Sequence, residues 1–250
     1  MMDFSKVTGF VIPEGTAIKI FSGSSVLWER PGQLPSAYQQ VEYIATDGNQ
    51  IIDTGVLASN HSEGIQYVFR GNVTAYQSTA LIYWFGALAN GCRSGNAFIN
   101  TASYIGMLIG GSGTEGYMSY DAFPAIGSDF ELVARGTPKN ANHCVITMNG
   151  TQFIKGALVN SEMPNANIYL FTANGTSAAT TANRKYYGKL YSFTMDTMDG
   201  RPIRNFVPCY RKSDGVIGLY DTVEGVFYTN RGSGDFTKGP DILWENRIIQ

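Results

Sequence analysis

Apolar and polar residues alternate along this chain in short runs, with a period of two and no sustained period of 3.6. Ile65, Tyr67 and Phe69 share one side of Gly64–Arg70. Lys185–Met195 sets Tyr187, Lys189, Tyr191 and Phe193 against Tyr186, Gly188, Leu190 and Ser192. Leu81–Ala87 is a continuous apolar run, as expected of a strand covered on both faces. Further strands are expected at Tyr38–Ile44, Gln50–Thr54, Asn96–Asn100, Tyr104–Ile109, Gly116–Tyr120, Phe130–Arg135, Ile168–Ala173 and Arg201–Val207. Asn149-Gly150, between Cys144–Met148 and Gln152–Lys155, is a strong hairpin signal because both turn residues need positive φ. Many short strands with Gly, Asn and Asp turns predict an all-β protein of two packed antiparallel sheets.

The most informative stretch is Asn205–Gly239. It reads as an extended segment, a turn at Ser213-Asp214-Gly215, and a hairpin of Val216–Asp221 and Val226–Asn230. The loop Thr222-Val223-Glu224-Gly225 sets Tyr220 across from Phe227, an aromatic pair worth about 0.2–1 kcal/mol. A second Gly-rich turn, Arg231-Gly232-Ser233-Gly234, follows. Near the start stands a second pattern: Leu34-Pro35, Tyr38, Glu42-Tyr43-Ile44, Gly48, Gln50 and Ile52-Asp53-Thr54-Gly55.

These two patterns closely resemble the ends of a concanavalin A-like (laminin-G-like) jelly-roll module. That module occurs in phage tail and other virion proteins and in surface proteins of gut Gram-positive bacteria. The resemblance covers about residues 34 to 240 and implies a jelly-roll domain over 34–240. Residues 1–30 read as an N-terminal three-strand attachment element, with strands in Val7–Val11, Thr16–Phe21 and Ser25–Arg30. Three strands alone are too few for independent stability, so the element is expected to dock on the domain or on a neighbouring subunit. Residues 241–250 read as a C-terminal tail strand. Leu-Trp-Glu occurs in both flanks, and Trp28 and Trp244 are the candidate assembly-interface residues, since each ring is costly to leave in water.

Hydrophobic residues make up 44% of the 250, enough for a substantial core, and charged residues only 15%. The formal net charge is −2, with no Lys or Arg stripe, so nucleic acid is not an expected partner. The longest apolar run, Ala80–Ala89, is about half of the ~20 residues that span a bilayer, so no membrane insertion is expected. The N-terminus lacks the basic and apolar regions of an export signal. With the resemblance, this suggests a virion protein, assembled in the host cytoplasm and released by lysis. Cys92, Cys144 and Cys209 form no CxxC pair and read as small buried apolar residues; His61 and His143 have no ligand spacing around them.

Some concanavalin A-like folds are glycoside hydrolases, which need two carboxylates facing the scissile bond. Laminarinase-type members carry them as ExDxE, and this chain does not. Asp129 and Glu131 are two apart with no third acid, while Glu42, Asp53 and Asp221 sit at strand ends or turns. GxSxG, P-loop and HExxH are absent as well, so no enzyme and no catalytic residue is expected. No cofactor is expected either. The resemblance leaves one calcium ion at a sheet rim as an alternative, although the sequence has no acidic cluster to hold it tightly.

Sugar binding suits the composition better, because aromatic faces stack on pyranose rings while Asn and Asp fix hydroxyls. Candidates are Trp84, Tyr117, Tyr120, Asp121 and Asn174, with Phe123, Tyr76 and Tyr83 nearby. The reading is a non-enzymatic phage virion structural protein of tail, baseplate or fibre. It would be homo-oligomeric, contact other virion proteins, and display a lectin-like face to host-surface polysaccharide. The alternatives are a capsid or tail decoration protein that binds no glycan, and a bacterial cell-surface adhesin module.

Overall fold

Alternation places one face of each strand against a partner layer, and the strands assemble accordingly. The computed structural model describes residues 9–11, 19–22, 25–29, 34–76, 81–89, 92–99, 104–109, 116–117, 124–155, 162–175 and 185–242; for 9–29, 81, 92–117, 140–144 and 153–155 it describes backbone only. The head forms the expected three-stranded antiparallel sheet, β1 (Gly9–Val11), β2 (Lys19–Ser22) and β3 (Ser25–Glu29).

The smaller main sheet has the order β11 (Gly116–Tyr117), β10 (Tyr104–Ile109), β9 (Cys92–Ile99), β8 (Leu81–Ala89), β15 (Asn167–Leu170) and β6 (Ile52–Leu57). The large sheet runs β14 (Thr151–Lys155), β13 (Asn140–Met148), β12 (Asp129–Thr137), β7 (Ile65–Ala75), β16 (Tyr187–Thr197), β17 (Pro202–Arg211), β18 (Ile217–Asp221) and β19 (Val226–Thr229). β4 (Tyr38–Gln40) pairs with β17, and β5 (Ile44–Thr46) lies between β16 and β20 (Thr237–Lys238). All these strand pairs are antiparallel. The chain changes layer at β5 to β6, β6 to β7, β7 to β8, β11 to β12, β14 to β15 and β15 to β16. Such repeated crossing makes a two-sheet jelly-roll sandwich rather than a meander.

The core lies between the layers. Ile52, Val56, Trp84, Phe85 and Leu170 from one sheet meet Tyr67, Phe69, Leu132, Phe193 and Phe206 from the other. Tyr67 and Phe85 stand 4.7 Å apart, Trp84 and Phe130 4.8 Å. Each such side chain contributes about 1.5–3 kcal/mol on burial. β8 is covered on both faces, as its unbroken apolar run predicts: Trp84 and Phe85 point into this core, while Tyr83 and Leu88 form a second cluster with Ala173.

The opening and closing sequence patterns are knitted together. Ile51 N donates to Asn230 Oδ1 at 2.9 Å, and Arg231 N donates to the Ile51 carbonyl at 2.8 Å. Gln50 Nε2 donates to the Asp235 carbonyl, and Gly239 N to that of Tyr43. A Cβ on Gly232 would lie 2.0 Å from the Asn49 carbonyl oxygen, so only glycine allows the approach. The predicted hairpin forms with Tyr220 opposite Phe227, and the Asn149-Gly150 turn has both φ angles positive. The tail begins by pairing Asp241 with Val41; residues 243–250 lie outside the described residues.

Candidate carbohydrate-binding surface

The outward face of the large sheet gathers polar and aromatic groups around an irregularity in β16. Period two would carry Tyr191 and Phe193 to the same side, as the sequence pattern suggests. Instead the pairing with β7 shifts between Leu190, opposite Gly71, and Ser192, opposite Arg70. Tyr191 is the extra residue of this bulge. Tyr187, Lys189 and Tyr191 therefore stay half-exposed, while Leu190, Phe193 and Met195 are all buried. A bulge re-aims a side chain in this way. The buried Tyr186 hydroxyl bonds the carbonyls of Asn72 and Lys189, at 2.9 and 3.0 Å. Gly188 is required here, since a Cβ would come 2.1 Å from the Asn72 oxygen.

Asp129 of β12, Asn72 of β7 and Lys189 of β16 form one cross-strand row. Asp129 Oδ1 accepts from Asn72 Nδ2 and from Tyr191 Oη, each at 2.7 Å. These bonds hold the Asp129 carboxyl below its usual range, while burial and the Asp129 bond push the Tyr191 hydroxyl well up. No described residue bonds Asp129 Oδ2, and the residue is exposed. The Tyr191 ring meets Tyr43 edge-on at 5.8 Å, and Lys189 Nζ stands 4.3 Å over the Tyr43 ring. Arg70 and Glu131 make an exposed ion pair beside the row, at 2.6 Å. The face thus offers a fixed carboxylate acceptor, an ammonium donor and a tyrosine ring, a set suited to hydroxylated ligands.

The residues singled out from sequence fall elsewhere. Trp84 is 0% exposed and enclosed by Phe69, Phe130 and Tyr186, so it has no face open to a sugar. The reason is that Trp84 stands on the inward side of β8, in the core between the two sheets. Tyr83 is likewise buried, and half-buried Tyr76 donates to the Pro124 carbonyl at 2.5 Å. Asn174 is half-buried and clamps backbone: its N donates to Gly86, its carbonyl accepts from Leu88 N, and its Nδ2 donates to the Asn167 carbonyl at 3.0 Å. Tyr117 lies on β11 opposite Gly106, and its side chain is outside the described residues. Tyr120, Asp121 and Phe123 are outside them altogether, as is Trp244. Trp28 lies on β3 opposite Ile20, its side chain again not described.

Sequence reasoning weighed Asp129 only as a hydrolase acid and Tyr43 only as part of the opening pattern, and it missed Asn72 and the outward role of Tyr191. The one signal for them was the tyrosine-rich alternation of Lys185–Met195, and the bulge hid its phase. Asp221, read as a turn acid, is fully buried and accepts from the backbone N of Asn205 and Val223. Asp53 accepts from Gly55 N at 2.9 Å. Buried Cys209 is a free thiol, pushed up to about 12 by burial. Among the described residues no three His, Cys, Asp or Glu side chains gather as a cation site.

Neither a family model nor a curated protein matches the chain. Three solved structures are similar to it at low identity. The native heptameric SAP-like pentraxin from Limulus polyphemus is 7% identical at TM-score 0.44, over 84% of this chain and 93% of that one. The full extracellular region of zebrafish Gpr126/Adgrg6 is 16% identical at TM-score 0.44, over 82% and 26%. The enzymatically active domain of bacteriophage CBA120 tailspike protein 2 is 11% identical at TM-score 0.43, over 71% and 30%. The chain therefore spans under a third of the second and third. The fold assignment rests on the strand order above and not on these likenesses.

Proposed function

We propose that this chain is a non-enzymatic structural protein of a phage virion, in tail, baseplate or fibre, whose jelly roll binds host-surface polysaccharide. The virion setting rests on the two end patterns and their family resemblance. The observation that carries the ligand reading is the Asp129–Tyr191–Lys189 row. Its carboxylate is oriented by two bonds on one oxygen, which leaves the other to accept from a sugar hydroxyl. Calcium has no part in this reading.

The strands of residues 1–30 dock the protein to the particle, with Trp28 and Trp244 at the contact, and the protein is a homo-oligomer there. Weak single-site affinity then multiplies through copies held on one particle.

A glycan array of host-wall polysaccharides at high protein density tests the ligand. Hits are expected for the wild type and lost in Asp129→Asn. An array without hits favours the purely architectural reading, a decoration protein of capsid or tail. Mass spectrometry of purified particles tests the setting: absence of the chain from them overturns it and favours the cell-surface module.

A further inference from the structure

A second polar site lies at the open edge of the sandwich, where β19 runs beside β6. Arg204 of β17 reaches across this edge with its side chain 10% exposed. Its Nε donates to the Thr54 carbonyl at 3.2 Å and lies 3.4 Å from Asp221. Its Nη1 donates to the Ile203 carbonyl at 2.7 Å and pairs with Glu224 at 2.6 Å. Nη2, which carries two hydrogens, has no partner among the described residues. It still touches solvent, because among the described residues Trp84 Nε1 is the only wholly enclosed side-chain N or O that lacks a hydrogen-bond partner.

Exposed Gly55 of β6 stands in front of this atom. A Cβ built on Gly55 would lie 3.6 Å from Tyr228 Oη and 3.8 Å from Arg204 Nη2, with nothing nearer. Because Gly55 carries no side chain, the outward approach to this phenol hydroxyl and guanidinium stays uncovered. Tyr228 Oη itself donates to Glu224 Oε2 at 3.2 Å, and Glu224 is 44% exposed.

Charge narrows the ligand. Arg204, Asp221 and Glu224 sum to one formal negative charge, which disfavours a carboxylate or phosphate. An ammonium would face the guanidinium. A neutral vicinal diol meets both demands: one oxygen accepts from Nη2, and the neighbouring hydroxyl donates to the Glu224 carboxylate. The guanidinium is held by backbone carbonyls as well as by acids, so it is in place before a ligand arrives.

We propose that the exposed edge at Gly55 binds a neutral saccharide through a vicinal diol held by Arg204, Tyr228 and Glu224. This site is separate from the sheet face and stands whether or not that face binds glycan. The test follows the Arg204 Nε–Hε signal by NMR during titration with methyl α-mannopyranoside, cis-1,2-cyclohexanediol and glucuronate. Saturable shifts are expected with the two neutral probes. Affinity should fall about five- to tenfold in Tyr228→Phe, which keeps the ring, and in Gly55→Ala, whose methyl covers the approach to Arg204 Nη2. Gly55 has a φ of +68°, so Tyr228→Phe serves if the alanine variant does not fold. Three results would each overturn the proposal: no saturable shift in folded wild type, glucuronate bound as tightly as the mannoside, or unchanged affinity in Tyr228→Phe. Shifts confined to Tyr191 and Asp129 would put the sugar on the sheet face and overturn it equally.

Discussion

The outward face of the large sheet and the edge beside β6 treat charge in opposite ways. On the face, Arg70–Glu131 is a solvent-exposed pair and Asp129 is exposed, so water screens each charge. At the edge, Asp221 is wholly buried and Arg204 nearly so, and each depends on the other and on backbone partners. Charges on the face can be exchanged cheaply and are free to serve recognition. Those at the edge hold β17, the closing hairpin and β6 together, and any ligand there uses what the clasp leaves over.

The harshest way to break this contrast is Arg204→Ala. It strands the Asp221 carboxylate in the protein, and a loss of about 3–5 kcal/mol is expected in urea unfolding. A loss under about 1 kcal/mol would mean that the edge behaves like the face. Gly188→Ala comes next. A Cβ 2.1 Å from the Asn72 oxygen must push β16 from β7, at about 1–3 kcal/mol, and weaken glycan binding by moving Tyr191.

Tyr186→Phe leaves the Asn72 and Lys189 carbonyls without their donor, at about 1–3 kcal/mol. It also has a pH signature. Burial raises the Tyr186 pKa well above its unfolded value near 10, so the folded state keeps the proton longer. That contribution is complete below about pH 10 and declines as pH rises beyond it, so alkaline denaturation should be shallower in the variant. Asp129→Asn should change stability by under about 1 kcal/mol, because the group is exposed, yet reduce polysaccharide binding about tenfold. Arg70→Ala is the smallest, within about 0.5 kcal/mol by thermal melting.

Local pairings were legible in the sequence. Tyr220 opposite Phe227 and the Asn149-Gly150 turn follow from spacing and glycine alone. The two-layer fold followed from period two. The candidate face did not, because one extra residue at Tyr191 reverses which side every later residue of β16 takes. Trp84 was chosen as an outward aromatic, but the register of β8 against β9 shifts between Tyr83 and Phe85, and Trp84 turns into the core together with Phe85. Arg204 escaped notice for a different reason: its main-chain partner, Thr54, is 150 residues away.

The knitting of Asn49–Ile51 to Asn230–Asp235 also sets the timing of folding. The opening strands find their partners late in the chain: β6 in β15, β5 in β16 and β20, and β4 in β17. Contacts so distant in sequence close slowly, and until they do the early strands expose unpaired edges. Unpaired edges of this kind are where a growing chain is prone to mispair.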